Sequence, residues 1–289
     1  MMKRRKQTKW WWLLAIVLVV VVGAGAGLNW GVKGGSQSKQ TITVGSLGAD
    51  VKVWQHIADS PAAKKAGLKI KVKSFTDPVQ LNRGTADGEV DVNAFQSWAY
   101  LQNFNQDSKQ KLVAFGTTYL EPMGIYSKKY KSVKDLPEGA TIAIANNPAN
   151  TARGLKLLQS AGLITLKKSF TATSGTNEIA SNPHHFTFKE IDDTTGPRVI
   201  NSVDAVLIGN TIALEGHLNV LKDSIYHEKV DQSTKDNVNV LATAKKNANN
   251  DAYKKLVKLY HSKDTQDYIA KQFKGTKVEV NKPISYLEK

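Results

Sequence analysis

Cysteine is absent from the chain. That excludes disulfides, thiolate metal sites, a cysteine nucleophile and any lipid attached through cysteine. Catalytic signatures are missing too. Nucleophilic catalysis needs a serine or similar group with a base beside it, yet no G-x-S-x-G elbow accompanies the six histidines. His184 and His185 are adjacent rather than at zinc-ligand spacing, and no H-E-x-x-H occurs. Both read as a polar loop. Asp192 and Asp193 adjoin, but neighbours on an extended chain point to opposite sides, so a joint acid–base role is not expected. Internal repeats and nucleic-acid motifs are lacking. A membrane-tethered enzyme is thus an alternative with no motif to support it, and no metal or cofactor is expected.

Acid is missing from one region. Residues 1–40 hold seven of the 40 basic residues and none of the 25 acids. The rest is therefore 33 against 25, or +8 of the formal +15, a moderately basic body suited to an anionic membrane or wall polymer. Its lysines are mostly spread among acids along helix faces and read as a solvated surface. Residues 1–9 form a basic head with Lys3, Arg4, Arg5, Lys6 and Lys9. Residues 10–28 carry no charge; as a helix they would span about 28 Å, roughly a hydrocarbon core. Trp10, Trp11 and Trp12 suit a membrane interface, and the basic head places the rest of the chain outside the cytoplasm. A retained transmembrane anchor is one reading. The small residues Ala24, Gly25 and Ala26 leave a cleaved signal peptide as the other. Residues 29–40 read as a flexible stalk.

From Thr41 onward strand and helix signals alternate, which predicts a mainly parallel α/β sheet covered by helices. Val51 to Ala66 reads as one helix, Leu68 to Phe75 as a half-buried strand, and Ser174 to Asn182 as a short helix. Glu121 to Ser127 reads as a crossover after which a second α/β series begins. The architecture inferred is two lobes with a cleft between them, residues 41–122 with 237–289 and residues 123–236.

The most informative stretch is Thr141 to Gly162, TIAIANNPANTARGLKLLQSAG. Ile142 to Ala145 is a short apolar run suited to a buried parallel strand. Asn147 is a good N-cap and Pro148 fits the first helical position. Leu155, Leu158 and Ala161 follow at helical spacing, and Gly162 supplies the stop. Asn146, Asn147, Asn150 and Thr151 thus sit at a helix N-terminus on the C-terminal edge of a strand, where open α/β sheets bind ligands. Free N–H groups there favour an anion, and Arg153 can fork onto a carboxylate. An ordinary surface arginine beside a capping asparagine is the alternative.

Several ordered blocks carry a resemblance: FTDPVQLN (Phe75 to Asn82), GEVDVNAFQSWAYL (Gly88 to Leu101), EPMGIYSKK (Glu121 to Lys129), IAIANNPANTARGLKLL (Ile142 to Leu158), VDAVLIGNTIALEGHL (Val203 to Leu218) and LVKLYHSKDTQDYIAKQFKG (Leu256 to Gly275). Over essentially all of Thr41 to Val280 the chain resembles the methionine-binding NlpA or MetQ lipoproteins, substrate-binding proteins of ABC importers. The resemblance implies a type II periplasmic-binding-protein fold. It implies an amino-acid ligand, methionine foremost, closed between the lobes and handed to a permease and its ATPase at the membrane. It assigns the ligand carboxylate to Asn150 and Arg153 and makes Phe95 a wall for the ligand side chain.

The chain departs from the family pattern around that pocket. Ser97 stands where histidine is usual and Pro78 where tyrosine is frequent. In the I-N-x-x-Y-A block, Ile208 is followed by Gly209, and Asn210 is displaced by one position; Ile212 replaces the tyrosine. Ala49, Asp50 and Val51 stand in place of a Pro-His turn. Asp50 reads as a helix cap, with the ligand's ammonium as the alternative partner. The carboxylate clamp is retained, and another amino acid or a small peptide is the alternative ligand.

Overall fold

The computed structural model describes residues 40–229 and 232–288. The basic head, the apolar segment and nearly all of the stalk lie outside the described residues. Among the described residues no helix is long and apolar enough to cross a membrane.

The first series runs β1 (Gln40–Leu47), α1 (Asp50–Asp59), α2 (Pro61–Lys65), β2 (Leu68–Phe75), α3 (Pro78–Asp87), β3 (Val92–Ser97), α4 (Trp98–Asp107) and β4 (Leu112–Thr117). β1 pairs in parallel with β2 and β3, so that Val44 lies opposite both Val72 and Val92. The helix expected from Val51 to Ala66 is broken in two. Pro61 keeps Ser60 out of the helical region; Ser60 is extended (φ −64°, ψ 145°), and its Oγ accepts the Ala63 N–H at 3.1 Å to cap α2.

The second series contains β5 (Tyr119–Leu120), β6 (Met123–Tyr126), β7 (Thr141–Ala145), α5 (Pro148–Ser160), β8 (Thr165–Leu166), β9 (Ile179–Ser181), β10 (Thr187–Ile191), α6 (Gly196–Val199), β11 (Ala205–Gly209), α7 (Asn210–Glu215), α8 (Val220–Asp223) and β12 (Tyr226–His227). β13 (Asn239–Ala244), α9 (Asp251–Tyr260), α10 (Lys263–Phe273) and β14 (Val278–Glu279) complete the chain. The helix expected over Ser174–Asn182 is instead a 3-10 turn, Thr176–Glu178, leading into β9. Ser, Thr, Asn and Gly dominate that stretch, and such residues compete with helical hydrogen bonding.

Two five-stranded sheets result, in the orders β2-β1-β3-β13-β4 and β10-β7-β11-β6-β12. Both are mixed rather than mainly parallel. β13 runs antiparallel to β3 and β4, and β6 runs antiparallel to β11 and β12. The physical reason is the connection. β6 and β13 are the strands by which the chain passes from one five-stranded sheet to the other, so neither is entered through a strand–helix–strand crossover within its own sheet, and only parallel neighbours require one.

β7 shows how the apolar run earns its place. Ile142, Ala143, Ile144 and Ala145 are all buried. Ile142 and Ile144 pack with Leu155 and Leu158 of α5, while Ala143 packs on the opposite face with Val206 and Ile208. A strand covered on both faces has no polar side to show. α5 lies close on the sheet at Gly154: a Cβ there would stand 3.1 Å from Leu207 and 3.3 Å from Ile144. The first sheet is covered by α1, α9 and α10 through Trp54, Ile57, Leu256 and Phe273.

Candidate functional site

α5 begins as its spacing predicts. Asn147 is the N-cap (φ −88°, ψ 136°), its Oδ1 accepts the Asn150 N–H at 2.9 Å, and Pro148 occupies the first turn. Thr151 Oγ bonds the Ala145 carbonyl at 2.6 Å, locking the helix onto the end of β7. Asn150 and Arg153 are three residues apart and so neighbours on one helix face.

That face meets a cavity of ≈ 90 Å³ lined by Leu47, Pro78, Phe95, Gln96, Ser97, Tyr100, Glu121, Met123, Asn150, Arg153, Asp193, Thr194, Gly209, Thr211, Ile212 and Asn239. Leu47 ends β1 and Ser97 ends β3. Asn150 follows β7, Asp193 follows β10 and Gly209 ends β11. The C-terminal edges of parallel strands from both sheets therefore converge here, the usual ligand position in open α/β sheets. A larger groove of ≈ 510 Å³ also reaches Arg153, lined by Lys156, Gln159, Tyr226, Glu228 and Asp236 among others. It takes Ala99 from α4 and Asn237 ahead of β13 but not the ends of β1, β3 or β11, which meet in the smaller cleft, so the smaller cleft is the candidate site.

Arg153 is nearly enclosed; its side chain is 9% exposed and that of Glu228 10%. Nε and Nη2 donate to the two Glu228 oxygens at 2.9 and 2.6 Å, and Nη2 also donates to the Glu121 carbonyl at 2.7 Å. Glu228 in turn accepts the Met123 N–H at 2.8 Å. Burial works against the guanidinium charge, but the Glu228 carboxylate more than compensates and the pKa rises. Among the described residues no hydrogen bond engages Nη1. Arg153 is thus a rigid, charged group with one donor end uncommitted, which is a different object from a surface arginine.

Asn150 does not stand free beside it. Its Nδ2 donates to Asp193 Oδ2 at 2.5 Å, and Asn147 Nδ2 donates to the same oxygen at 3.0 Å. Asp192 accepts the Thr194 N–H at 3.0 Å and faces solvent. The two adjacent carboxylates do part ways, through a 3-10 turn rather than an extended chain.

Behind the cleft lies a buried ionic cluster. Lys277 Nζ is 2.9 Å from Asp50 Oδ1 and 2.7 Å from Glu121 Oε2, with its side chain 0% exposed. It also sits 3.6 Å from the Tyr119 ring centroid, a cation–π contact. The Tyr119 hydroxyl donates to Asp50 Oδ2. Glu121 accepts from Asn210 Nδ2 (3.0 Å), the Thr211 N–H (3.1 Å) and Thr211 Oγ (2.9 Å). Burial opposes charge on Glu121, but Lys277 and these donors hold its carboxyl below the usual range. Burial pushes the Asp50 carboxyl up, with Lys277 pulling it back. Asp50 therefore neither caps α1 by its side chain nor lines the cleft; it is committed to Lys277.

Of the residues singled out in the sequence, Pro78, Phe95, Ser97, Asn150, Arg153 and Gly209 line the cleft. Asn210 lies behind it, fully buried, donating to Glu121 and to Thr276 Oγ at 3.1 Å. Ser97 caps α4 by accepting the Tyr100 N–H at 3.2 Å, and Phe95 meets Tyr100 edge-on at 5.9 Å. Asn239, Tyr100 and Glu228 carry no site signal in the sequence, and Asp193 figures there only beside Asp192, as a carboxylate pair without a joint role. Asn239 packs its amide against the Phe95 and Gln96 carbonyls, 3.0 and 3.3 Å away in the orientation that satisfies both. The Asn82, Asn93 and Gln96 amides interlock behind that strand end, with Gln96 Nε2 2.8 Å from Asn82 Oδ1 and 2.7 Å from Asn93 Oδ1.

Gly209 has an ordinary backbone (φ −68°, ψ 156°), and a Cβ there would meet nothing within 4 Å. Its missing side chain is room in the cleft, not a backbone requirement. Gly209→Leu is expected to fold with a melting temperature within a few degrees of the parent and to bind a cleft ligand at least tenfold more weakly. Thermal unfolding and titration on the same sample check both halves.

Comparisons with known proteins agree with one another. The family profile described as NlpA lipoprotein matches residues 42–281. The methionine-binding lipoprotein MetQ of Bacillus subtilis is 36% identical over 266 residues, spanning 90% of this chain and 94% of that protein. The structure of a Burkholderia cenocepacia nutrient binding protein bound to methionine superposes with a TM-score of 0.79 at 40% identity, covering 82% of this chain and 99% of that one. The substrate binding protein of a methionine transporter from Streptococcus pneumoniae gives 0.77 at 36% identity, covering 83% and 95%.

Proposed function

The chain belongs to the NlpA lipoprotein family, and on that premise we propose that it is the extracytoplasmic binding protein of an ABC importer, with methionine as its ligand. The family is one of substrate-binding proteins, not enzymes. The observation that carries the reading is the cleft itself, where strand ends of both sheets converge on an enclosed, charged Arg153. The uncommitted Nη1 end takes the ligand carboxylate, with Asn150 beside it. Leu47, Phe95, Met123 and Ile212 form an apolar wall for a thioether side chain.

In this reading the two sheets mark the two lobes, residues 41–122 with 237–289 and residues 123–236. The links near Glu121 and Asn237 act as the hinge, and ligand stabilises the closed form by its differential affinity. The closed form docks on the permease, and the N-terminal segment, if retained, keeps the protein at a high local concentration there. Another amino acid or a short peptide is the second reading, favoured by Ser97, Pro78 and Gly209 in the cleft wall.

Calorimetric titration of the full chain, stripped of carried-over ligand by unfolding and refolding, tests the proposal. The expected result is one methionine per protein, at submicromolar affinity, recovered unchanged. Silence toward methionine with a clear response to another amino acid selects the second reading; turnover of the added compound would overturn both.

A further inference from the structure

Of the two acids that line the cleft, Glu121 is paired with Lys277 and Asp193 has no cationic partner among the described residues. Asp193 lines the same cavity as Arg153. Its Oδ2 is fixed by two amide donors from the first turn of α5, Asn147 at 3.0 Å and Asn150 at 2.5 Å. Among the described residues no lysine, arginine or histidine pairs with it, in contrast to the buried acids around the cleft. Glu228 has Arg153, and both Asp50 and Glu121 have Lys277. Burial pushes the Asp193 carboxyl up, and its two amide donors only partly reverse this. On the opposite wall the Tyr100 hydroxyl is held protonated by burial and by the field of Asp193, Asp77 and Asp192. The cleft thus joins a cation with a spare donor end to an acid without a cation. The two stand on one helix face, Arg153 directly and Asp193 through Asn150.

An anion alone would leave Asp193 uncompensated in a half-buried place, which is costly. A zwitterion complements both charges at once. We propose that Asp193 is the counter-ion of the ligand's ammonium group, so that the cleft selects free amino acids over their des-amino and N-blocked counterparts. This rests on the amino-acid-binding reading above and adds the residue that enforces it.

The test is a two-by-two comparison in the full chain. Parent and Asp193→Asn are each titrated with L-methionine and with 4-(methylthio)butanoic acid, which differs only in lacking the amino group. Asparagine keeps an oxygen for Asn147 and Asn150, so the α5 cap is preserved while the charge is removed. A charged hydrogen bond contributes enough that its loss reads as tenfold or more. The expected result is an affinity for methionine at least tenfold weaker in Asp193→Asn, with a clearly smaller change for the des-amino compound. Equal losses for both compounds mean that Asp193 only shapes the cleft, and an unchanged methionine affinity means that it faces no ammonium; either overturns this proposal and leaves the amino-acid reading intact. A parent protein silent toward every amino acid overturns both.

Discussion

Arg153→Ala is expected to lose methionine binding by about 2–5 kcal/mol, roughly 30-fold to a few thousand-fold in dissociation constant. Two effects combine. The ligand carboxylate loses its charged donor, and Glu228 is left buried with the Met123 N–H and, 3.5 Å away, the Asn237 amide among the described residues. The second effect is one of stability, because removing one partner of a buried pair costs about 3–5 kcal/mol. The two are separable. Arg153→Met combined with Glu228→Gln removes both charges and retains volume and a hydrogen-bonding group. That double variant is expected to recover most of the melting temperature while still failing to bind. Arg153→Lys should also bind poorly, since an ammonium cannot reproduce the fork that Glu228 and the Glu121 carbonyl hold in place. Titration and thermal unfolding of the three variants settle the matter. Methionine binding by Arg153→Ala within a factor of two of the parent would remove Arg153 from the site.

Lys277→Met has the largest expected effect on stability. Lys277 is fully buried between Asp50 and Glu121. Its removal leaves two carboxylates facing each other without a cation, a loss of about 3–5 kcal/mol. For a chain of this size that is roughly 6–20 °C in melting temperature. The pH dependence carries a definite sign. In the parent the Glu121 carboxyl lies below its usual range, so its contribution is present above the unfolded-state pKa and is lost as pH falls through the folded one. In the variant burial and mutual repulsion raise the carboxyl pKa values. A raised carboxyl binds its proton more tightly in the folded state and destabilises progressively as pH rises from the unfolded pKa through the folded one. The gap between parent and variant is therefore expected to be small near pH 4 and to widen toward pH 7. Glu121→Gln in the Lys277→Met background should narrow it at neutral pH. Melting temperatures across that range measure the trend, and a gap that does not change with pH would show that the cluster is not ionised as described.

The strand β7 and helix α5 were legible because every cue is local. Asn147, Pro148, the leucine spacing and Gly162 act within a few residues of one another. Pro61 is equally local: one proline suffices to split the first helix and make Ser60 a cap. Strand direction in the sheets was not legible from alternation alone. β13 and β6 look like any other apolar run, and only the absence of a helical crossover before β6 hints at its reversed sense. The site divides in the same way. Phe95, Ser97, Asn150 and Arg153 stand beside recognisable strand ends and caps. Their partners come from far along the chain: Glu228 is 75 residues from Arg153, and Lys277 is 156 from Glu121. No spacing rule links such pairs. Asp50 illustrates the cost of local reasoning, since its position suits a cap while its carboxylate answers to Lys277 and Tyr119. The leading segment of residues 10–28 remains the expectation its composition supports.

Crystallising the full chain with selenomethionine as added ligand, and locating the selenium by its anomalous signal, tests the central claim most directly. The account predicts a single selenium in the cleft against Phe95, Met123 and Ile212, with the ligand carboxylate on Arg153 Nη1. Selenium in the larger groove beside Lys156 and Tyr226, with the cleft empty, would contradict it.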